Sequence, residues 1–242
     1  INASGNKTEL NGIWVGKFET TGSETQPTVK PGIASLRSTT LDKLYNTGKL
    51  FRSTNYLTTT GANESDSHMM KNIEWGAVAY LKQSIYGLGI TDITNNASST
   101  HSSSSYYTGG GSGTSYKTNT GQSTTGNITG VYDMTGGAFE YVMGNYNKRA
   151  GSSALTVSTV PNEHIDIYSG TSEAASHLGD ATGETAGWYS DTADFVNSSY
   201  PWFARGDDEY NWDFTGVFNF NSNMGGLYND KYGFRVVLSA TE

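Results

Sequence analysis

The 242-residue chain contains no cysteine. That excludes disulfides, thiolate nucleophiles, and Cys-ligated zinc or iron–sulfur centres. Charge is scarce too: Asp, Glu, Lys and Arg make up 16% of the residues, against about a quarter in most domains. The 15 basic residues are outnumbered by 23 acidic ones, for a net charge of −8. Such a balance lacks the clustered Lys and Arg that nucleic acid and anionic membranes require, so no nucleic-acid partner is expected. Long hydrophobic runs are missing; none approaches the ~18 residues that cross a bilayer, and direct membrane insertion of this segment is not expected. No signal peptide is recognisable and the first residue is Ile1 rather than methionine. The expectation is a trimmed fragment whose export signal or anchor has been removed.

What the chain does have is glycine, small polar residues and rings. Apolar residues are only 35%, with 30 glycines, so much of the chain must be loop. The 16 tyrosines, nine phenylalanines and five tryptophans point to a core built from a few large rings. The length suits one domain over residues 1–242. GIWVGKFET (12–20) predicts a strand. STTLDKLYNTGKLF (38–51) predicts a short helix, with Leu41, Leu44 and Tyr45 on one face and Gly48 near its end. DSHMMKNIEWGAVAYLKQSIYG (66–87) predicts the longest helix. Asp66 or Ser67 would cap it, Met70, Ile73, Ala77, Tyr80, Leu81 and Ile85 would form its buried stripe, and Gly87 would stop it. Residues 94–127 are low complexity and read as a surface insertion, ordered only where Tyr106, Tyr107 and Tyr116 dock. Tyr232–Leu238 reads as a buried closing strand. The fold class expected is α+β: loop-rich, two helices with short antiparallel strands.

Three segments in order carry a resemblance. NIEWGAVAYL (72–81), NITGVYDMTGGAFEY (127–141) and GFRVV (233–237) resemble conserved blocks of the formylglycine-generating-enzyme (sulfatase-modifying factor) superfamily. The resemblance implies a C-type-lectin-like fold. ELNGIWVGKFETTG, HMMKNIEWGAVAYL and PWFARGD with the closing GFRVVL are similar to prepilin-like surface proteins of gut bacteria. They are also similar to variable proteins of diversity-generating retroelements, in which the segment before the final strand is diversified for binding. Diversification at template adenines cannot make Met224, Lys231, Glu209 or Trp212 from Asn codons, so these would need other template codons.

The resemblance does not carry the enzyme chemistry with it. The copper-binding cysteine pair of the formylglycine-generating enzymes has no counterpart here. His68, His101, His164 and His177 are scattered, with no pair at helical ligand spacing, so no metal site and no cofactor are expected. No nucleophile elbow or phosphate-cradling loop occurs, and GGGSG (109–113) lacks a following Lys-Ser or Lys-Thr. No catalytic residue is assigned. Asp133 and Glu140 read as structural hydrogen-bonding groups rather than an acid/base pair. YND (228–230) and VPNEH (160–164) faintly resemble calcium-dependent sugar-binding motifs but lack flanking acidic ligands.

The expected function is therefore non-catalytic binding, as an adhesin or receptor-binding domain of an extracellular, cell-surface or pilin-like bacterial protein; a phage virion is the other setting considered. The partner class is an unknown protein or glycan on a host or neighbouring cell. Its face is expected from residues 207–232, rich in the rings and short polar groups of adaptable paratopes. The candidates are Asp208, Tyr210, Asn211, Trp212, Phe214, Asn219, Asn221, Asn223, Met224, Tyr228, Asn229, Asp230 and Tyr232. Val217 and Phe218 are expected near the core, with Asn219 and Asn221 outward. Tyr210, Tyr228 and Tyr232 are expected to face out, while Trp212 and Phe214 read equally as contact rings or core rings. The competing readings are a metal-dependent oxidase and a structural pilus or virion decoration domain.

Overall fold

The structure, a computed structural model, describes residues 12–55, 65–96, 106–207, 216–222 and 224–240. It is of the α+β class. The elements are β1 (Ile13–Val15), β2 (Thr21–Ser23), β3 (Gln26–Thr28), α1 (Leu41–Asn55), β4 (Ser65–Met69), α2 (Asn72–Gln83), β5 (Phe139–Tyr146), β6 (Asp166–Tyr168), β7 (Trp202–Arg205), β8 (Phe220–Asn221), β9 (Tyr232–Phe234) and β10 (Val236–Ala240). Between α2 and β5, and between β5 and β7, the chain runs mostly through turns and short 3-10 pieces.

β10 lies between β1 and β4 in a three-stranded antiparallel sheet. β2 and β3 form a separate hairpin. β5 centres the largest sheet: Tyr141 pairs with Ala204 of β7 antiparallel and with Phe234 of β9 in parallel. Its far end pairs with β6, also in parallel. The strands are thus not all antiparallel, as the sequence reading has them; both parallel neighbours of β5 arrive after long connections.

β5 and β7 are buried on both faces, which explains their near-continuous apolar sequences FEYVMGNY and WFAR. Because side chains alternate across a strand, the two strands split the interior. Tyr141, Met143, Trp202 and Ala204 point into one cluster with Leu41, Leu44, Val157 and Phe234. Val142 and Phe203 point into the other with Trp75, Tyr168, Val217 and Phe220.

The long helix expected over 66–87 divides. Residues 65–69 are a strand paired with β10, and the helix begins only at Asn72. Its start is fixed by Glu74, whose carboxylate accepts the Lys71 N–H at 2.8 Å. The buried face also differs: Asn72, Glu74, Trp75, Val78, Ala79 and Lys82 turn inward, while Ala77, Leu81 and Ile85 are exposed. An apolar-only count misses this stripe because its polar members are buried with hydrogen-bond partners. In α1, Gly48 sits mid-helix rather than at the end. A Cβ there would lie 2.7 Å from the Met69 backbone nitrogen, so glycine allows α1 to press on β4. Tyr232–Leu238 is two strands, not one, broken at Arg235 between the two sheets.

The low-complexity stretch packs more than its composition suggests. Residues 97–105 lie outside the described residues. From Tyr106 onward, however, Thr108, Gln122, Ser123 and Thr124 are buried as well as Tyr106. Thr108 donates to the Lys30 carbonyl at 2.7 Å, and Tyr116 meets Phe18 and Tyr132 edge-on. Hydrogen bonds order this segment where apolar area is lacking.

Candidate functional site

Three polar groupings stand out. The first is interior and organises the end of the chain. Arg235, fully buried, donates through Nε and Nη2 to the two Glu140 carboxylate oxygens at 3.2 and 2.5 Å. It also donates to the carbonyls of Gly16 and Tyr132 at 2.7 and 2.9 Å. Asp133, at φ 63°, accepts from the Gly109 N–H at 2.8 Å and the Asn96 side chain at 2.9 Å. Glu19 accepts from the Ala138 N–H at 2.8 Å and from the Ser35 hydroxyl. Asp133 and Glu140 are thus structural hydrogen-bonding groups.

Burial, followed by the nearby Asp133 and Glu140 carboxylates, pushes Glu19 well above the usual carboxylate range. Burial pushes Asp133 up to about 6, although Arg235 opposes it. Burial also carries Asp191, which accepts the Phe218 N–H at 3.0 Å, up to about 7. An acid whose pKa rises on folding weakens the fold once ionised: the penalty is absent below the unfolded value near 4 and complete above the folded value. Thermal unfolding should therefore show Tm falling between pH 5 and pH 8, by an amount equivalent to a few kcal/mol at most. A Tm that is flat or rising over that window would contradict this assignment.

The second grouping is made by residues far apart in sequence. Asp66 and His68 lie on β4, and His164 ends a 3-10 turn 98 positions after Asp66. Asp66 Oδ2 accepts from His68 Nδ1 at 2.7 Å and from His164 Nε2 at 2.8 Å. His68 Nε2 meets Glu74 at 3.0 and 3.2 Å, and His164 Nδ1 meets the Tyr45 hydroxyl at 3.3 Å. The imidazoles stack with centroids 4.9 Å apart. Burial works against a charged His68, but its bonds to Asp66 and Glu74 win and carry it up to about 9. The two imidazoles likewise overcome burial to hold Asp66 well below the usual carboxylate range. Sequence spacing does not show the cluster, because periodicity places Asp66 and His68 at a helix start rather than on a strand, and because β4 meets residues 162–164 only in three dimensions. His177 lies elsewhere, stacked on Tyr168.

The third grouping is the face expected near the C-terminus, and the structure redraws it. Asp208, Tyr210, Asn211, Trp212, Phe214 and Asn223 lie outside the described residues. Asn219 and Asn221 are buried at 3% exposure each rather than outward. Residues 216–222 are all buried, and hydrogen bonds to the 191–195 segment and to β7 hold both edges of that short strand. Val217 and Phe218 are in the core as expected. Tyr232 is buried at 4%, stacked on Phe139 and against Tyr141. The polar residues before it belong to a turn, and the strand behind them turns the ring inward. Met224 is half-buried against the core and Asn229 is half-buried.

What faces out is Leu227, Tyr228 and Asp230, with Leu227 at 47% and Tyr228 at 54% exposure. Tyr200, also exposed, adjoins the same turn through Gly225. The backbone beneath these side chains is firmly tied. The carbonyls of Gly225, Gly226, Leu227, Asn229, Asp230 and Lys231 accept, respectively, from Ser152 N–H, Leu41 N–H, Tyr141 OH, Ser38 N–H, the Arg37 guanidinium and Phe139 N–H. Asn229 Oδ1 accepts the Lys231 N–H at 2.8 Å, closing the turn. Gly226, at φ +85°, passes so close to Ser153 that a Cβ would lie 2.6 Å from the Ser153 Cβ.

Among the described residues, no helix is long and apolar enough to cross a membrane. Compared with models of known protein families and with curated protein sequences, the chain matches none.

Proposed function

We propose that this chain is a non-catalytic binding domain, an adhesin or receptor-binding module of an extracellular or surface-attached bacterial protein. Its binding centre is the turn over residues 224–231. The observation that supports this reading is the contrast between a backbone tied to the scaffold through six carbonyls and an outward set made of Leu227, Tyr228 and Asp230. Packed backbone carbonyls are paired in any fold, but here the pairing also fixes the turn that presents the three outward side chains. A binding turn gains from it, because little conformational entropy is then lost on association. Tyrosine adds contact area at the cost of two torsions, and the aspartate adds a directional acceptor. Tyr200 extends the patch. The ligand class is a protein or glycan. The C-type-lectin-like fold and diversification of residues 207–232 belong to the same proposal. Within it, the positions free to vary without loss of the fold are Leu227, Tyr228 and Asp230, not Asn219, Asn221 or Tyr232.

The test replaces Leu227, Tyr228 and Asp230 together with alanine and screens the variant beside the parent chain on glycan arrays and intact cells. The expected result is loss of the parent's binding with an unchanged melting curve, since exposed substitutions shift stability by roughly 0.5 kcal/mol or less each. Undiminished binding by the folded variant rejects the turn as the binding centre.

A further inference from the structure

We propose that Asp66, His68 and His164 form a binding site for one divalent transition-metal ion, with zinc the best fit. The three ligand atoms, Asp66 Oδ2, His68 Nδ1 and His164 Nε2, all lie within 4.8 Å of one another. More telling is their direction. Two imidazole nitrogens from separate parts of the chain aim at one point, at present the Asp66 oxygen, at 2.7 and 2.8 Å. A cation needs that convergence. With bonds of about 2.0–2.1 Å, tetrahedral ligands sit roughly 3.3 Å apart. Asp66 must therefore back away by about half an ångström from each nitrogen. It has room to do so, because its side chain is 31% exposed while the His68 side chain is 3% exposed. The exposed side of Asp66 is also the path by which an ion and a fourth ligand, water, would enter.

The surroundings match what metal-bound histidines require. Such a histidine usually donates its second ring N–H to a carboxylate or another oxygen, which fixes its tautomer and aim. Here His68 Nε2 is held by Glu74 and His164 Nδ1 by the Tyr45 hydroxyl. Glu74 is itself fixed at the start of α2 by the Lys71 N–H. Two imidazoles and one carboxylate suit zinc and its neighbours rather than calcium or magnesium, which take oxygen ligands. When the ion binds, the protons that His68 Nδ1 and His164 Nε2 donate to Asp66 both leave those nitrogens for solvent, and the ion takes their place. The ion would tie β4 to the 162–164 turn, whose neighbours Val157, Val160 and Ile165 line the core. This inference is independent of the binding turn.

The experiment uses the untagged chain, stripped with a chelator and titrated with zinc chloride by calorimetry, with cobalt(II) as a spectroscopic stand-in. One equivalent of zinc, a rise in Tm, and a tetrahedral cobalt visible band are expected. His164→Gln, judged folded by circular dichroism, should lose at least tenfold in zinc affinity. A second readout needs no variant: zinc should shift the ring-nitrogen NMR signals of His68 and His164 and leave those of His101 and His177 in place. Substoichiometric zinc, wild-type affinity in folded His164→Gln, or shifts at the other two histidines would overturn the site.

Discussion

Arg235→Met should cost about 3–5 kcal/mol, the usual result of removing one partner of a buried ion pair. Total stabilities of domains are about 5–15 kcal/mol, so the variant should be poorly soluble or unfolded at 37 °C. The reason is local. Without the guanidinium, Glu140 is left with an uncompensated buried carboxylate, and the Gly16 and Tyr132 carbonyls lose their donor. One residue thereby ties together the end of β1, the 130–133 segment and β5. Arg235→Met with Glu140→Met should recover part of the loss, because replacing both members of a buried pair with apolar groups is often close to neutral. The two carbonyls stay unpaired in the double variant, so recovery should be incomplete. Urea unfolding of the three proteins measures this. A single variant within about 1 kcal/mol of the parent would contradict the assignment of Arg235 as the central buried cation.

Trp75→Ala should lose about as much, roughly 3–5 kcal/mol for the deleted ring. The indole is fully buried in the second core cluster, and its Nε1 donates to the Val217 carbonyl at 2.7 Å. Trp75→Phe separates the two contributions. It refills most of the volume and leaves the carbonyl without this donor, so about 1–3 kcal/mol should remain lost. Denaturant midpoints give the ranking. Trp75→Phe as damaging as Trp75→Ala would mean that the hydrogen bond, not the ring, dominates.

How far the sequence leads can be judged at individual positions. The mixed class, the helix around NIEWGAVAYL and the strand content of GAFEYVMGN follow from periodicity and ring content. The division of 66–87 into β4 and α2 does not. Ser65–Met69 has no helix-breaking residue, and it is the pairing of its backbone with β10 that makes it a strand. The buried stripe of α2 was hidden for a related reason. Glu74 and Lys82 count as polar in a sequence pattern, and only their partners in space allow them inside. At the C-terminal face, composition puts Tyr228 outward, as it is; Asp230, a candidate contact residue, is exposed too. Composition could not separate them from Asn219, Asn221 and Tyr232, because local polarity says nothing of strands arriving from residues 139–146 and 191–195. The histidine–carboxylate cluster was least legible, since its members meet only through tertiary packing.

Besides the 224–231 turn, Leu81 on α2 and Ile85 and Ile90 in the turns after it are exposed, a second apolar set with no polar acceptor among the three. The direct measurement compares two triple-alanine variants, one at Leu227, Tyr228 and Asp230 and one at Leu81, Ile85 and Ile90, with the parent chain on the same glycan and cell panels. The first should lose binding and the second keep it, both with parent-like melting curves. Retention by the first and loss by the second would contradict the turn as the binding centre.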